Sequence, residues 1–138
     1  MKFLYRILPF LIIGLILSCA KSETPSRPFV GTWTVTSLSV TGCTDTNNNY
    51  SQAFACPGTI AKWCYIYTFN SNGTCTIERT ATSTEKDNGT YSVHGNFVAI
   101  TFTGSNEAWT FALATNTLTF TLNDPTGNGC LYTMVLVK

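Results

Sequence analysis

The chain has 138 residues, a length that suits one domain built around one hydrophobic core. Charged residues make up only 11% of it, and from Cys19 onwards six basic residues stand against seven acidic ones, a net charge of −1. Since no cluster of basic residues is available to hold a phosphate backbone, the composition argues against nucleic acid as a partner.

The first 18 residues have the pattern of a secretory signal peptide. Two basic residues, Lys2 and Arg6, precede an apolar run over residues 7–17. That run is too short to span a bilayer as a stable helix, and its place after a positive start is typical of a secretory signal. We therefore expect residues 1–18 to be a signal peptide.

The apolar run ends in the residues Ile-Leu-Ser-Cys, of which the last is Cys19. This ending resembles the lipobox of bacterial lipoproteins, and the resemblance implies cleavage before Cys19, lipidation of its thiol and acylation of the new amine. Acyl chains contribute roughly 0.8 kcal/mol for each buried CH₂, so they would form a durable membrane anchor. Ala20, by the same resemblance, favours the outer membrane. The alternative is an ordinary signal peptide in which the cysteine is incidental.

Residues 19–28 contain Pro25 and Pro28 and no core residues, which predicts an extended tether. The domain then covers residues 29–138. Apolar and polar residues alternate through it, with short turn clusters between the runs, and this predicts an all-β fold of eight strands. The first strand opens at 29–35, and the others cover 61–70, 74–81, 90–93, 97–103, 108–114, 117–123 and 130–137.

Hairpins joining eight strands in sequence give an antiparallel up-and-down meander, which can close into a barrel. Alternate connections of a meander fall at opposite ends. The tight turns at 71–73, 94–96 and 115–116 then share one end with the tether. The opposite end collects the connections that are predicted to be longer: 41–60, 82–88, 104–107 and 124–129. We expect a closed end beside the tether and an open mouth at the other end.

The first strand contains the sequence Gly31-x-Trp33. It resembles the opening motif of lipocalins and of short lipocalin-like lipoproteins of Gram-negative bacteria. The resemblance implies a lipocalin-like barrel over residues 29–138, with the Trp33 indole packed across the closed end. The chain departs from true lipocalins in lacking a Thr-Asp-Tyr motif, an arginine near its last residues and a C-terminal helix.

With Cys19 lipidated, five cysteines remain, and in an oxidising compartment four of them can pair. The meander places Cys43, Cys56, Cys64 and Cys130 at the mouth. We expect two disulfides among these four, with Cys43–Cys130 and Cys56–Cys64 favoured. The remaining cysteine, Cys75, starts a strand at the closed end and is expected to be a buried thiol. A four-thiolate zinc site is the alternative, although no CxxC pair is present.

Aromatic side chains dominate the inward-facing positions of the predicted barrel, and they allow two interpretations. They either fill the interior as a core or form a pocket for a small apolar ligand, oriented by tyrosine hydroxyls. The candidate ligand-binding residues are Trp33, Trp63, Tyr65, Tyr67, Tyr91, Phe102, Trp109, Phe111 and Phe120.

No catalytic residue, cofactor or metal site is predicted. His94 is the only histidine and lies in a predicted turn, and Glu78 and Asp87 are a conceivable carboxylate pair whose distance the pattern does not fix. We expect a lipid-anchored, non-enzymatic envelope protein that binds a small apolar molecule or a protein partner at its mouth. The alternative is a structural or interaction lipoprotein with a filled barrel or β-sandwich.

Overall fold

The computed structural model describes residues 29–56, 63–124 and 126–138, and within these ranges the chain is all-β. The predicted signal peptide, Cys19 and the tether lie outside the described residues. A short 3₁₀ helix, Thr46–Asn48, follows the first strand. The described strands are β1 (Gly31–Thr41), β2 (Tyr50–Ala53), β3 (Cys64–Phe69), β4 (Thr74–Thr80), β5 (Thr84–His94), β6 (Phe97–Phe102), β7 (Ser105–Ala114), β8 (Thr117–Asn123) and β9 (Leu131–Val137). No helix within the described ranges is long and apolar enough to cross a membrane.

The strands form one antiparallel sheet in meander order, and the sheet closes because β1 pairs with β9. On its other side β1 pairs with β3 through residues 31–34 and with β2 through residues 37–40. β2 and β3 therefore occupy one position around the barrel, so the nine described strands make eight positions. The predicted eight-stranded antiparallel barrel is confirmed, and closure leaves the sheet without a long free edge.

The described residues between β2 and β3 are 54–56 and 63. Pairing continues just past β2, where the Phe54 N–H donates a hydrogen bond to the Thr36 carbonyl at 2.9 Å. Cys64, the first residue of β3, pairs with Thr80 of β4 and forms a disulfide with Cys56. This disulfide therefore joins the start of β3 to the described residues that follow β2.

A β-bulge in β1 changes which of its residues face the interior. The register against β9 shifts between Val35 and Ser37, so Thr36 is an extra residue on β1. Its hydroxyl donates a hydrogen bond to the Val135 carbonyl at 3.1 Å. Because strand side chains alternate between faces, the extra residue turns Leu38 towards the interior, where strict alternation would place a serine.

Aromatic side chains fill the end of the barrel where β1 begins. Phe29 is fully buried, and its ring centre lies 4.7 Å from that of Phe69 and 5.1 Å from that of Phe111. The Trp33 indole, also fully buried, donates a hydrogen bond from Nε1 to the Phe29 carbonyl at 2.9 Å. The Lys138 Nζ lies 5.3 Å from the centre of the Trp33 ring. Trp33 thus packs at the closed end, where the lipocalin resemblance placed it.

Both favoured disulfides are present, Cys43–Cys130 and Cys56–Cys64. The first lies just beyond the last β1–β9 pairs and joins the two strands that close the barrel. Cys75 is a buried free thiol, as expected from its place at the closed end. The cysteine predictions are confirmed for the described residues.

Two of the four connections at the mouth are shorter than the sequence indicated. Segment 82–88, predicted as a loop, belongs to β5 from Thr84 onwards, and segment 104–107 belongs to β7 from Ser105 onwards. Arg79 pairs with Glu85 and Glu78 with Lys86 across the β4–β5 hairpin. Opposite charges facing each other on neighbouring strands stabilise a sheet, so a charged segment can continue it.

Candidate functional site

A cavity of about 400 Å³ opens at the mouth of the barrel. Binding pockets for small molecules begin at roughly 300 Å³, so this volume is large enough for one small ligand. Most of the lining side chains are aliphatic or aromatic. They are Val35, Leu38, Tyr50, Gln52, Phe54, Tyr65, Tyr67, Ile77, Glu107, Trp109, Tyr132 and Met134.

The lining residues come from the middle of the strands and from the strand ends nearest the mouth. The β1 bulge supplies Leu38, and β2 adds Tyr50 and Gln52 beside it. Beyond β2, the Phe54 ring packs edge-on against Tyr65, with the ring centres 5.0 Å apart. The bulge in β1, the strand β2 and Phe54 beyond it therefore build one side of the cavity.

Glu107 places a carboxylate among the aromatic side chains that line the cavity. Its Oε2 accepts a hydrogen bond from the Trp109 indole Nε1 at 3.0 Å. Burial raises the pKa of the Tyr67 hydroxyl well above its ordinary value, and the negative charge of Glu107 raises it further. The Glu107 carboxylate is thus placed among aromatic side chains, close enough for its charge to act on Tyr67.

Arg79 lies on the cavity side of β4, since it pairs with the lining residue Tyr65 and paired residues share a face. Its guanidinium forms an ion pair with Asp87 through Nη2, and its Nε lies 3.8 Å from the Glu85 carboxylate. Arg79 is therefore paired with carboxylates of the neighbouring strand, although its positive charge also reaches Tyr67 and lowers the pKa that Glu107 raises.

Three of the nine residues predicted to bind a ligand line the cavity: Tyr65, Tyr67 and Trp109. Their side chains point inward, as the alternation of the sequence predicted. Four others, Trp33, Tyr91, Phe111 and Phe120, belong to the packed core around Phe29.

The remaining two do not line the cavity either. Phe102 belongs to the same buried cluster and packs against Gly89 of the neighbouring strand. Trp63 is 44% exposed, stands 6.2 Å from the Tyr65 ring and does not line the cavity. Of the predicted residues, the structure therefore brings Tyr65, Tyr67 and Trp109 together around the cavity, and the barrel is a filled core over its closed half.

Several lining residues were not predicted, although the sequence held a signal for some of them. Glu107 precedes Trp109 by two positions, so strand alternation alone places both on one face. Tyr132 and Met134 alternate in the same way in a segment that is apolar on both faces. Tyr50 and Gln52 lie in a polar segment that gives no strand signal.

A second, more polar cavity of about 350 Å³ adjoins the first, and Tyr50 and Tyr132 line both. Three asparagines and Asp124 contribute to its wall. The Asp124 carboxylate accepts hydrogen bonds from the Thr126 hydroxyl and N–H, which lower the pKa of Asp124. The Asp124 carboxylate is thus used in hydrogen bonds within its own loop.

The single histidine and the conceivable carboxylate pair are not placed where they could act together. His94 is exposed at the end of β5, and the conceivable pair Glu78 and Asp87 faces opposite sides of the sheet, because Asp87 pairs with inward-facing Ile77. No group of three or more His, Cys, Asp or Glu side chains that could hold a metal occurs in the described part of the chain.

No protein-family model matches the chain, and a search of curated proteins finds no significantly similar sequence.

Proposed function

We propose that this protein is a lipid-anchored cell-envelope lipoprotein whose barrel binds one small apolar molecule at its mouth without catalysing a reaction. The observation that carries the proposal is the cavity of about 400 Å³ at one end of a barrel whose other end is packed solid. A barrel that served only as a structural or interaction module would have no need of an aromatic-lined opening.

The aromatic side chains at the two ends of the barrel differ in exposure, and this difference supports the proposal of a binding site. At the closed end Phe29, Trp33, Phe69 and Phe120 are at most 1% exposed. At the mouth Tyr65, which faces the same interior, is only partly buried. An apolar ligand entering the cavity would remove such partly exposed aromatic surface from water, which favours binding by about 25 cal/mol for each Å² buried.

The proposed anchor fits the orientation of the barrel. Phe29, the first described residue, lies at the closed end, so the preceding residues join the barrel there. A lipid anchor at Cys19 would hold the closed end towards the membrane and leave the mouth facing away from it. The ligand would then reach the cavity from the aqueous side.

The anchor is tested by growing cells that express the parent or Cys19→Ser with labelled palmitate. The parent should take up label, while Cys19→Ser should take up none and remain uncleaved or soluble. Cys75→Ser is the matched control, since it removes a different cysteine and should keep the label. Undiminished labelling of Cys19→Ser would contradict the proposal.

Ligand binding is tested with an uncharged aromatic dye whose fluorescence depends on its environment, displaced by a panel of sterols, haem and fatty acids. Ile77→Trp places an indole in the cavity, and Glu78→Trp places the same indole on the outer face of β4. We expect Ile77→Trp to weaken dye binding about tenfold or more, and Glu78→Trp to leave it unchanged.

Leu38→Trp, at a partly buried lining position on another strand, repeats the test should Ile77→Trp fold poorly. Equal binding by Leu38→Trp and the parent would place the dye outside the cavity. If the parent binds no dye and no member of the panel, the filled-barrel interaction module replaces the carrier.

A further inference from the structure

The charges at the mouth restrict which apolar molecule the cavity accepts. Among the described residues that line it, Glu107 alone carries a charge. The carboxylate is held in place by the hydrogen bond from the Trp109 indole at 3.0 Å. A ligand in the cavity would therefore have a fixed negative charge beside it.

Arg79 acts on Tyr67 with a charge opposite to that of Glu107, but its guanidinium is shared with other carboxylates. Arg79 is bonded to Asp87 and lies close to Glu85, so the described ionic groups on this side of the mouth are three carboxylates and one guanidinium. The net charge of these groups is negative. An anionic head group, such as a fatty-acid carboxylate, would be placed among like charges in a partly desolvated site, which is unfavourable.

The wall around Glu107 suits the opposite charge. Tyr65, Tyr67 and Trp109 line the cavity together with the carboxylate. A cation over such rings is attracted by their negative faces, and the attraction is largest for tryptophan and for sites with little water. Aromatic rings with a carboxylate among them are the surroundings in which proteins bind quaternary and hydrophobic amines.

We propose that the ligand of this cavity is an apolar molecule with a positively charged amine or quaternary ammonium group, and that Glu107 is its counter-ion. This inference rests on the proposed binding function and specifies the class of ligand. The apolar part would occupy the space between Leu38, Ile77 and Met134, and the cation would lie against Glu107 and Trp109.

The test compares three probes of equal chain length on the intact protein: dodecyltrimethylammonium, dodecanol and dodecanoate, all below their micelle concentrations. The parent should bind the ammonium probe about tenfold or more tightly than the carboxylate, a factor of the size expected for a cation–π contact with a nearby carboxylate. Dodecanol should lie between them, since it reports only the apolar part of the site.

Glu107→Gln removes the charge and keeps an oxygen that can accept the Trp109 hydrogen bond. We expect it to reduce the preference for ammonium over carboxylate to less than about threefold. Glu78→Gln removes a carboxylate from the outer face of the barrel and should leave the preference as in the parent.

The outcomes separate this inference from the proposed function. If dodecanol binds and dodecanoate binds as tightly as the ammonium probe, the cavity is a carrier site and the inference about charge is wrong. The inference about charge is also wrong if Glu107→Gln prefers ammonium over carboxylate as strongly as the parent does. If none of the three probes binds, both proposals fail.

Discussion

Gly89 lies directly beneath the ring of Phe102, its partner across the β5–β6 pair. A Cβ atom on Gly89 would stand 2.7 Å from the Phe102 Cδ1 and closer still to the carbonyl oxygen of Thr101. The ring therefore fills the space that a side chain on Gly89 would need. This contact lets a large aromatic residue pack inside the barrel without pushing β5 and β6 apart.

Gly89→Ala should destabilise the fold by roughly 1–3 kcal/mol, because a methyl group at this position forces the ring or the backbone to move. Ser92→Ala on the same strand is exposed and should change the stability by less than about 0.5 kcal/mol. Urea unfolding of the two variants and the parent measures both values. Equal stability of the two variants would show that the ring does not occupy this space.

The two disulfides should contribute unequally to stability. Cys43 and Cys130 are separated by 87 residues and Cys56 and Cys64 by 8, and a longer loop loses more freedom in the unfolded chain. Replacing the first pair with alanines should cost roughly 4–5 kcal/mol and the second roughly 2–3 kcal/mol. Urea unfolding of the two double variants measures the loss of stability from each pair and shows which is larger. A larger loss from the Cys56–Cys64 pair would contradict the expectation from loop length.

The Cys75 thiol should be unreactive while the protein is folded. The side chain is 1% exposed, and burial raises the pKa of its thiol to about 11, so little thiolate forms near neutral pH. Iodoacetamide at about pH 8 should modify Cys75 slowly in buffer and rapidly in urea, as followed by intact mass. Cys75→Ala is the control and should gain no mass at that position. Rapid labelling in buffer would mean that the thiol is not in the core.

Tyr67 should make the fold sensitive to alkali. Burial, and then the charge of Glu107, raise the pKa of Tyr67 in the folded state. The unfolded chain loses this proton near pH 10 while the folded protein keeps it, so stability is complete below about pH 10 and falls as the pH rises further. Tyr67→Phe should show a shallower loss of stability from about pH 9 to 11. The same slope in the variant and the parent would show that the Tyr67 hydroxyl is not desolvated.

Strand alternation was sufficient to predict the barrel and the direction of most side chains, because one face of each strand must be buried. Alternation could not predict how far along the barrel, between the mouth and the closed end, an inward-facing residue lies. Tyr67 and Phe111 have the same pattern in the sequence, yet Tyr67 lines the cavity and Phe111 packs against Phe29. Depth depends on how far each strand extends past its neighbours, and that offset is a property of the whole closed sheet.

Local irregularities account for most of what the sequence did not reveal. The bulge at Thr36 turns Leu38 into the cavity, and no residue type marks that extra position. β2 contains Tyr50 and Gln52 in a polar segment and is a strand only because β1 offers it a free edge beyond β3. Such pairing depends on tertiary context more than on the residues themselves.

The central claim, that the mouth cavity holds an apolar ligand, can be measured at one atom. The chain contains two methionines, Met1 and Met134, and the Met134 side chain lies in the cavity wall. Labelling the methionine methyl groups with ¹³C gives an NMR signal from that wall, and Met134→Leu assigns it. We predict that dodecanol shifts the Met134 methyl signal and shows a nuclear Overhauser effect to it. A Met134 signal that stays in place while dodecanol binds, or that no apolar probe can move, would contradict the account.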